Sequence, residues 1–373
     1  MGAEGPHLSP QTTPPEVKWP PIFRVMAMFD VSPLAEIKAV SSCIRNTDLL
    51  AKIAQSKRLN RNREPQEGDV VLTRVLSDSG AWDFIESTTG RETRIYSDDL
   101  ILSILGTRRS GTSPSGMLPA SQVKRGEVLS LVSASGLVAI ADSTPRFYRE
   151  PRKVQVEAFF GVADRVINLR DCIRPATETG SPQFGVVIVA GTAAEVGKTT
   201  ALTRLMREFR QLSPRLQIGA IKACGTGRLR DCLAYRDTGA NRVVDFVDFG
   251  WPSTYNIPSQ SYRCLMKQML AVLRQVDIVF VEIGGDLLEG RAPEALGELS
   301  GLRALPVLCV SDAMGATTGL GILEKHGWKD VPVASHRQNL KCLQERLAGA
   351  QTLDTANGQE LAKLASSLLD KLR

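Results

Sequence analysis

The hydrophobic pattern changes period twice along the chain. Residues 1–20 are rich in Pro, Gly, Ser and Thr and carry no core-forming pattern, which predicts a disordered tail. Between Phe23 and Ala54, Pro33–Val40 and Asp48–Ile53 place apolar residues at helical spacing, predicting two short helices. From residue 68 to about 160 the pattern turns to β. Asp69–Leu76, Trp82–Glu86, Leu100–Gly106 and Val128–Val132 are β-branched, alternating or apolar runs separated by Gly-containing turns. Short strands of this kind predict a small barrel or sandwich.

The second change comes near Phe184. Val186–Ala190, Ile278–Val281 and Leu305–Val310 are apolar on both faces, and stretches such as Ser261–Val276 between them have helical spacing. Apolar strands alternating with helices predict a parallel sheet covered on both sides. The boundary is expected in the Pro- and Gly-containing segment Pro175–Pro182. The expected fold class is therefore α/β: a parallel-sheet domain over residues 184–373, preceded by a smaller β-rich (α+β) domain over 21–178.

One motif adds chemistry to this outline. Gly191-Thr192-Ala193-Ala194-Glu195-Val196-Gly197-Lys198-Thr199-Thr200 directly follows an apolar strand and opens a helical run. That is the strand–loop–helix context of a phosphate-binding P-loop. Gly197 lets the backbone approach phosphate oxygens, and successive N–H groups at the helix start cradle them. Lys198 reaches the β- and γ-phosphates, and the Thr199 hydroxyl joins Mg²⁺. The common G-x-x-x-x-G-K-[ST] form would put its first glycine at position 192, which is Thr; a glycine stands one residue earlier, at Gly191.

The form Gly-Thr-x-x-Glu-Val-Gly-Lys-Thr resembles the P-loop of dethiobiotin synthetase, an ATP-dependent ligase. The resemblance spans roughly residues 184–340. It implies a strand ending in a substrate-binding lysine, matched by Ile218–Lys222, and an aspartate in the Mg²⁺ shell, matched by Asp231 or Asp237. It also implies a buried strand ending in a metal-linked glutamate, matched by Asp277–Glu282 with Gly284 and Gly285, and a strand and helix matched by Leu305–Leu323. It puts His336 on the side of the adenine. By this resemblance Lys198, Lys222 and Glu282 are catalytic. Gly191, Thr192, Glu195, Val196, Gly197, Lys198, Thr199 and Thr200 hold ATP, and Thr199, Asp231 and Glu282 hold Mg²⁺. Ala193 and Ala194 stand where that family has Asp and Thr, which weakens any carry-over of its substrate. A long β-rich region before such a domain is also similar to a P-loop family that includes D-amino-acid N-acetyltransferases.

Composition narrows the options further. At about 150 residues per domain, 373 residues allow two or three domains. The net charge of +6 is not concentrated in either half, which favours small anionic partners over a nucleic-acid surface. Seven cysteines without a C-x-x-C pair, and three scattered histidines, argue for reduced thiols and against a zinc site. No apolar run is long enough to cross a bilayer, and the opening Met1–Pro6 has the pattern of neither a signal peptide nor a myristoylation site. A cytoplasmic protein is expected.

Smaller features remain open. Lys57–Arg63 reads as a solvated loop or a polyanion contact. Arg108–Gly116 reads as a plain loop or a lid over an anionic ligand. Arg228 or Arg230 suits a carboxylate or phosphate clamp, and Asp248–Tyr255 a substrate wall. Cys224, without a histidine nearby in sequence, reads as a structural thiol. Three functions fit: a ligase that activates a carboxylate or carbamate with Mg·ATP, an acyltransferase holding coenzyme A phosphates, and a regulatory NTPase. Proteins of the last class often form homodimers.

Overall fold

A computed structural model describes residues 34–173, 183–335, 340–347 and 349–372. The expected tail, the Pro175–Pro182 boundary and His336 lie outside these residues.

The first half holds β1 (Ile37–Val40), α1 (Thr47–Ala54), β2 (Lys57–Leu59), β3 (Val70–Val75), β4 (Phe84–Glu86) and β5 (Glu92–Arg94). These are followed by β6 (Leu100–Leu105), β7 (Ser115–Met117), β8 (Val128–Ser133), β9 (Leu137–Ser143), β10 (Lys153–Val162) and β11 (Arg165–Val166). β3 pairs antiparallel with β6 and β10, β10 with β8, and β8 with β9; β9 then returns to pair parallel with β6. These five strands close into a barrel, which removes the exposed edges of an open sheet.

The barrel strands are buried on both faces. Val71, Ile101, Leu131, Val138 and Val156 fill the interior. Their neighbours Val70, Leu72, Leu102, Val132 and Leu137 point outward into a second cluster, which continues through Phe246, Val186 and Ile188 of the other half. This explains why β3 and β6 read as nearly continuous apolar runs instead of alternating ones.

Two early expectations are corrected. Ile37–Val40 is a strand, not part of a helix; it pairs parallel with β6, where the β-branched Ile37 and Val40 suit a pleated edge and tertiary pairing overrides local spacing. The basic run at 57–63 is not all loop: its first three residues form a strand, while 60–62 stay an exposed loop. Lys57–Leu59 pairs with β10, Arg63 bonds Asp69 at 3.0 Å, and Arg58 meets Glu36 at 3.5 Å. The helix expected at Asp48–Ile53 is present as α1.

The second half contains β12 (Gly185–Gly191), α2 (Lys198–Leu212), β13 (Ile218–Lys222), α3 (Leu229–Asp237), β14 (Arg242–Asp245) and α4 (Ser259–Ala271). It continues with β15 (Ile278–Glu282), α5 (Ala292–Leu299), β16 (Ala304–Cys309), α6 (Ala313–Lys325), β17 (Val333–Ser335), α7 (Leu340–Arg346), β18 (Thr352–Asp354) and α8 (Gly358–Leu372). Its sheet is parallel throughout, in the order β14-β13-β15-β12-β16-β17-β18. Along β12, Val187 and Val189 pack under Leu202, Phe209 and Leu364, from α2 and α8. Val186 and Ile188 join the cluster that holds Met266, Leu296 and Leu323, from α4, α5 and α6. Helices thus cover both faces, as the apolar strands require. The chain has the α/β P-loop fold, preceded by a β-rich portion.

Candidate functional site

Strand register brings the site together. Glu282, at the end of β15, lies beside Val189 of β12 and Lys222 of β13. The loop after β12, Lys222 and Glu282 therefore meet at the carboxyl ends of three adjacent strands, where open α/β sheets bind ligands.

The phosphate-type loop has a strained, glycine-dependent path. Glu195 and Gly197 both take positive φ, 61° and 91°. Gly197 caps α2 without a side-chain hydrogen bond, and the first turn of the helix carries no acid. Its leading N–H groups are thus left for an anion. The displaced glycine has a steric reason. A Cβ on Gly191 would come within 2.7 Å of Val196 Cγ2 and 2.9 Å of Lys198 Cδ. The lysine stem needs the space that a side chain at 191 would fill.

Lys198 is 6% exposed. Its Nζ donates to the carbonyls of Ala193, at 2.7 Å, and Gly285, at 2.6 Å. Burial lowers its pKa, and the Glu282 charge opposes that shift. Thr199 Oγ1 donates to Glu282 Oε1 at 3.1 Å, and the Tyr235 hydroxyl, from α3, donates to Oε2 at 2.7 Å. Burial, helped by Asp231, pushes the Glu282 carboxyl above its ordinary range.

Lys222 ion-pairs with Asp231 and donates to Thr226 O at 3.0 Å. Burial alone would lower the Lys222 ammonium; the Asp231 carboxylate overrides it and holds the lysine above its ordinary value. Burial acts against the Asp231 charge too, and Lys222 outweighs it, holding the carboxyl low. Of the two aspartates left open by the sequence, Asp231 lines the cleft. Asp237 closes the far end of α3 and is exposed.

Two close approaches shape the floor. A Cβ on Gly284 would sit 2.2 Å from Cys224 O. Gly225, at φ 111°, donates its N–H to Thr254 Oγ1 at 3.0 Å. Burial pushes the Cys224 thiol up to about 12, so it remains protonated, in line with the structural role expected for it.

The cleft above this floor has a volume of about 620 Å³, within the range of small-molecule sites. Six cationic side chains line it: Arg108, Arg109, Lys198, Lys222, Arg228 and Arg230. They face four acids, Glu195, Asp231, Glu282 and Glu289, so the wall carries a net positive charge.

Three of the expected nucleotide residues do not line the cleft. Gly191 ends β12, Val196 is buried in the core, and Thr192 lines a smaller neighbouring pocket. Their part is to set the path of the loop. Of Asp248–Tyr255 only Tyr255 reaches the cleft; Trp251 instead stacks under Arg170, 4.9 Å from its ring centre. Of the Arg108–Gly116 segment, Arg108, Arg109, Ser110, Thr112 and Ser113 line it.

Sequence reasoning missed the far wall. Trp82 and Tyr148, 5.9 Å apart between ring centres, come from the barrel half. Glu289 bonds the Tyr255 hydroxyl. No local pattern marks these three, because the contacts that place them are long-range. The positive φ of Trp82, 62°, is a structural signal only.

Fold and site together define an α/β P-loop protein whose cleft is roofed by a β-rich portion. No family model matches the chain, and no curated protein matches it. Solved structures similar to it include the hydrogenase maturation factor HypB from Archaeoglobus fulgidus, at 16% identity and TM-score 0.33, covering 51% of this chain and 91% of that one. The signal recognition particle 54 kDa protein from Aeropyrum pernix K1, in complex with GDP, is similar at 15% identity and TM-score 0.31, covering 54% and 52%. The signal recognition particle receptor FtsY from Elizabethkingia anophelis is similar at 16% identity and TM-score 0.32, covering 54% and 75%. Among the described residues no helix is long and apolar enough to cross a membrane.

Proposed function

We propose that the protein is an ATP- and Mg²⁺-dependent ligase acting on an anionic small molecule. The observation that carries this reading is Lys198. It is a buried ammonium at an uncapped helix start, held by two backbone carbonyls and, among the described residues, without a carboxylate in ion-pair reach. A buried cation left in this way calls for an anionic ligand.

Among the described residues no cluster of three or more His, Cys, Asp or Glu side chains is fit to hold a metal by itself. A hydroxyl and a carboxylate side by side, Thr199 and Glu282, instead suit Mg²⁺ that arrives on phosphates and takes only one or two protein ligands. Asp231 is the further acid on the same wall. Bound there, Mg²⁺ neutralises charge that develops on the phosphoryl group.

In this reading a carboxylate or carbamate oxygen of the substrate attacks the γ-phosphorus and ADP leaves. An amine then attacks the resulting mixed anhydride carbon, and phosphate departs as the amide-type bond forms. Lys198 and Lys222 contribute by positioning and charge. A regulatory NTPase is the second reading. It is favoured by the Glu86 carboxylate of the barrel half, which bonds the first N–H groups of α3, a helix that lines the site. Coenzyme A phosphates in the P-loop would make the protein an acyltransferase.

Thermal denaturation with Mg·ATP, Mg·GTP or acetyl-CoA separates these readings. At about a hundred times Kd a ligand stabilises by about 2.7 kcal/mol, or several degrees in Tm. Lys198→Ala is expected to lose that rise. Stabilisation by acetyl-CoA alone would overturn the ligase reading, as would an unchanged nucleotide affinity in Lys198→Ala.

A further inference from the structure

We propose that the barrel wall of the cleft is a second anion-binding subsite, in which Arg108 and Arg228 grip an oxyanion of the acceptor substrate against Trp82. The inference rests on the ligase reading and deepens it. One end of the cleft would take nucleotide phosphates at Lys198, and the other the carboxylate or phosphate of the molecule to be activated.

The argument starts from unbalanced charge. The Arg108 guanidinium donates to Pro114 O at 3.2 Å, Val132 O at 2.5 Å and Ser113 Oγ at 2.6 Å. All three acceptors are neutral. Among the described residues no carboxylate lies in ion-pair reach of Arg108, and its Nε is buried without a hydrogen-bond partner. Burial disfavours its charged form and the nearby Arg228 adds to that effect, while Tyr255, Tyr148 and Glu289 offset part of it. Both guanidinium centres lie close to one indole, at 5.7 Å and 5.8 Å from the Trp82 ring centre. Two cations beside one ring repel each other unless an anion joins them.

Arg228 is paired with acids only at long range. Its Nε stands 3.9 Å from Glu86 Oε1, and its NH2 is 3.5 Å from Glu92. The Glu86 oxygens are already used by Ser42 Oγ, at 2.7 Å, and by the N–H groups of Leu229, at 2.7 Å, and Arg230, at 2.9 Å. Arg228 Nε and Trp82 Nε1 are also buried without hydrogen-bond partners. The cluster thus holds one cation without an acid, Arg108, a second with only long ion pairs, Arg228, and three unspent N–H donors. Guanidinium groups match planar or tetrahedral oxyanions through paired N–H bonds.

The contrast with Lys222 supports a division of labour. Lys222 has its own acid in Asp231. Lys198 and Arg108 do not, and their hydrogen-bond partners come from different segments: Ala193 and Gly285 for the lysine, Ser113, Pro114 and Val132 for the arginine. The cleft volume of about 620 Å³ is of the size that takes a small-molecule ligand.

The test is titration calorimetry at constant ionic strength on the full chain. Malonate and inorganic phosphate serve as probes, each with and without a non-hydrolysable Mg·ATP analogue. The wild type is expected to bind at least one probe at up to about 20 mM, and Arg108→Met and Arg228→Met to weaken it at least about tenfold. Nucleotide affinity in both variants should stay within about threefold, and Lys198→Ala should show the converse pattern. Malonate binding would mark a carboxylate subsite, and phosphate binding a phosphate subsite. The proposal falls if the wild type binds neither probe, if both arginine variants bind as well as the wild type, or if the variants lose nucleotide and keep the probe. Should Arg108→Met fail to fold, Arg228→Met carries the same test. Failure of the ligase reading would look different: the wild type would ignore the nucleotide, while probe binding would still depend on the two arginines.

Discussion

Gly284 and Gly191 show how single residues set the geometry of this site. The backbone after β15 passes so close to the backbone after β13 that a methyl group on Gly284 would lie 2.2 Å from Cys224 O and 2.9 Å from Cys224 C. Both neighbours are main-chain atoms and cannot rotate away. Gly284→Ala is therefore expected to destabilise the protein by about 1–3 kcal/mol, read as a lowered Tm. It should also weaken nucleotide binding, because Gly285 supplies one of the carbonyls that hold Lys198. At this scale much was legible in the sequence. Lys198, Thr199, Lys222 and Glu282 stand out because each is a polar residue at the end of an apolar strand or the start of a helix. Trp82, Tyr148 and Glu289 were not legible, since nothing in their neighbours sets them apart from ordinary surface residues.

Helix α3 joins the two walls of the cleft. It carries Asp231, which pairs with Lys222, and Tyr235, which bonds Glu282. Its own N-terminus lacks a local side-chain cap. The cap is supplied from the barrel half by Glu86, which is fully buried and bonds the N–H groups of Leu229 and Arg230. A carboxylate there satisfies two orphan donors and complements the helix dipole. Glu86→Ala is expected to cost about 1–2 kcal/mol. Glu86→Gln, which keeps an acceptor, should cost less. Both are measured by denaturant unfolding, and the loss of nucleotide affinity should follow the same order. Such a cap is invisible to a search for Ser, Thr, Asp or Asn just before a helix, because the capping residue lies 143 positions away. The same limit explains Ile37–Val40: its local spacing is helical, and only its pairing with β6 makes it a strand.

For the whole molecule, the two halves share one buried cluster and a set of polar links, so the barrel is part of the site and not an appendage. The sequence marked where the chain changes character, yet composition alone says nothing of how two such regions pack. Arg45 from the barrel half pairs with Asp245 at the end of β14 and with Asp248 just beyond it, at 2.8 Å. The Asp245 side chain is fully buried, and it also accepts the N–H of Val247 at 2.9 Å. Arg45→Met would leave that carboxylate without its cation, a change expected to cost about 3–5 kcal/mol. The double variant Arg45→Met with Asp245→Asn removes both charges and is expected to recover a substantial part of the loss, because the penalty lies in the unpaired charge more than in the absent bond. Denaturant unfolding of the four proteins in the cycle gives the coupling energy directly. Strictly additive losses would mean that this ion pair adds nothing to the hold between the two halves. Strong coupling, together with weaker nucleotide binding in Arg45→Met, would show that the barrel's grip on the P-loop half also sets the shape of the cleft.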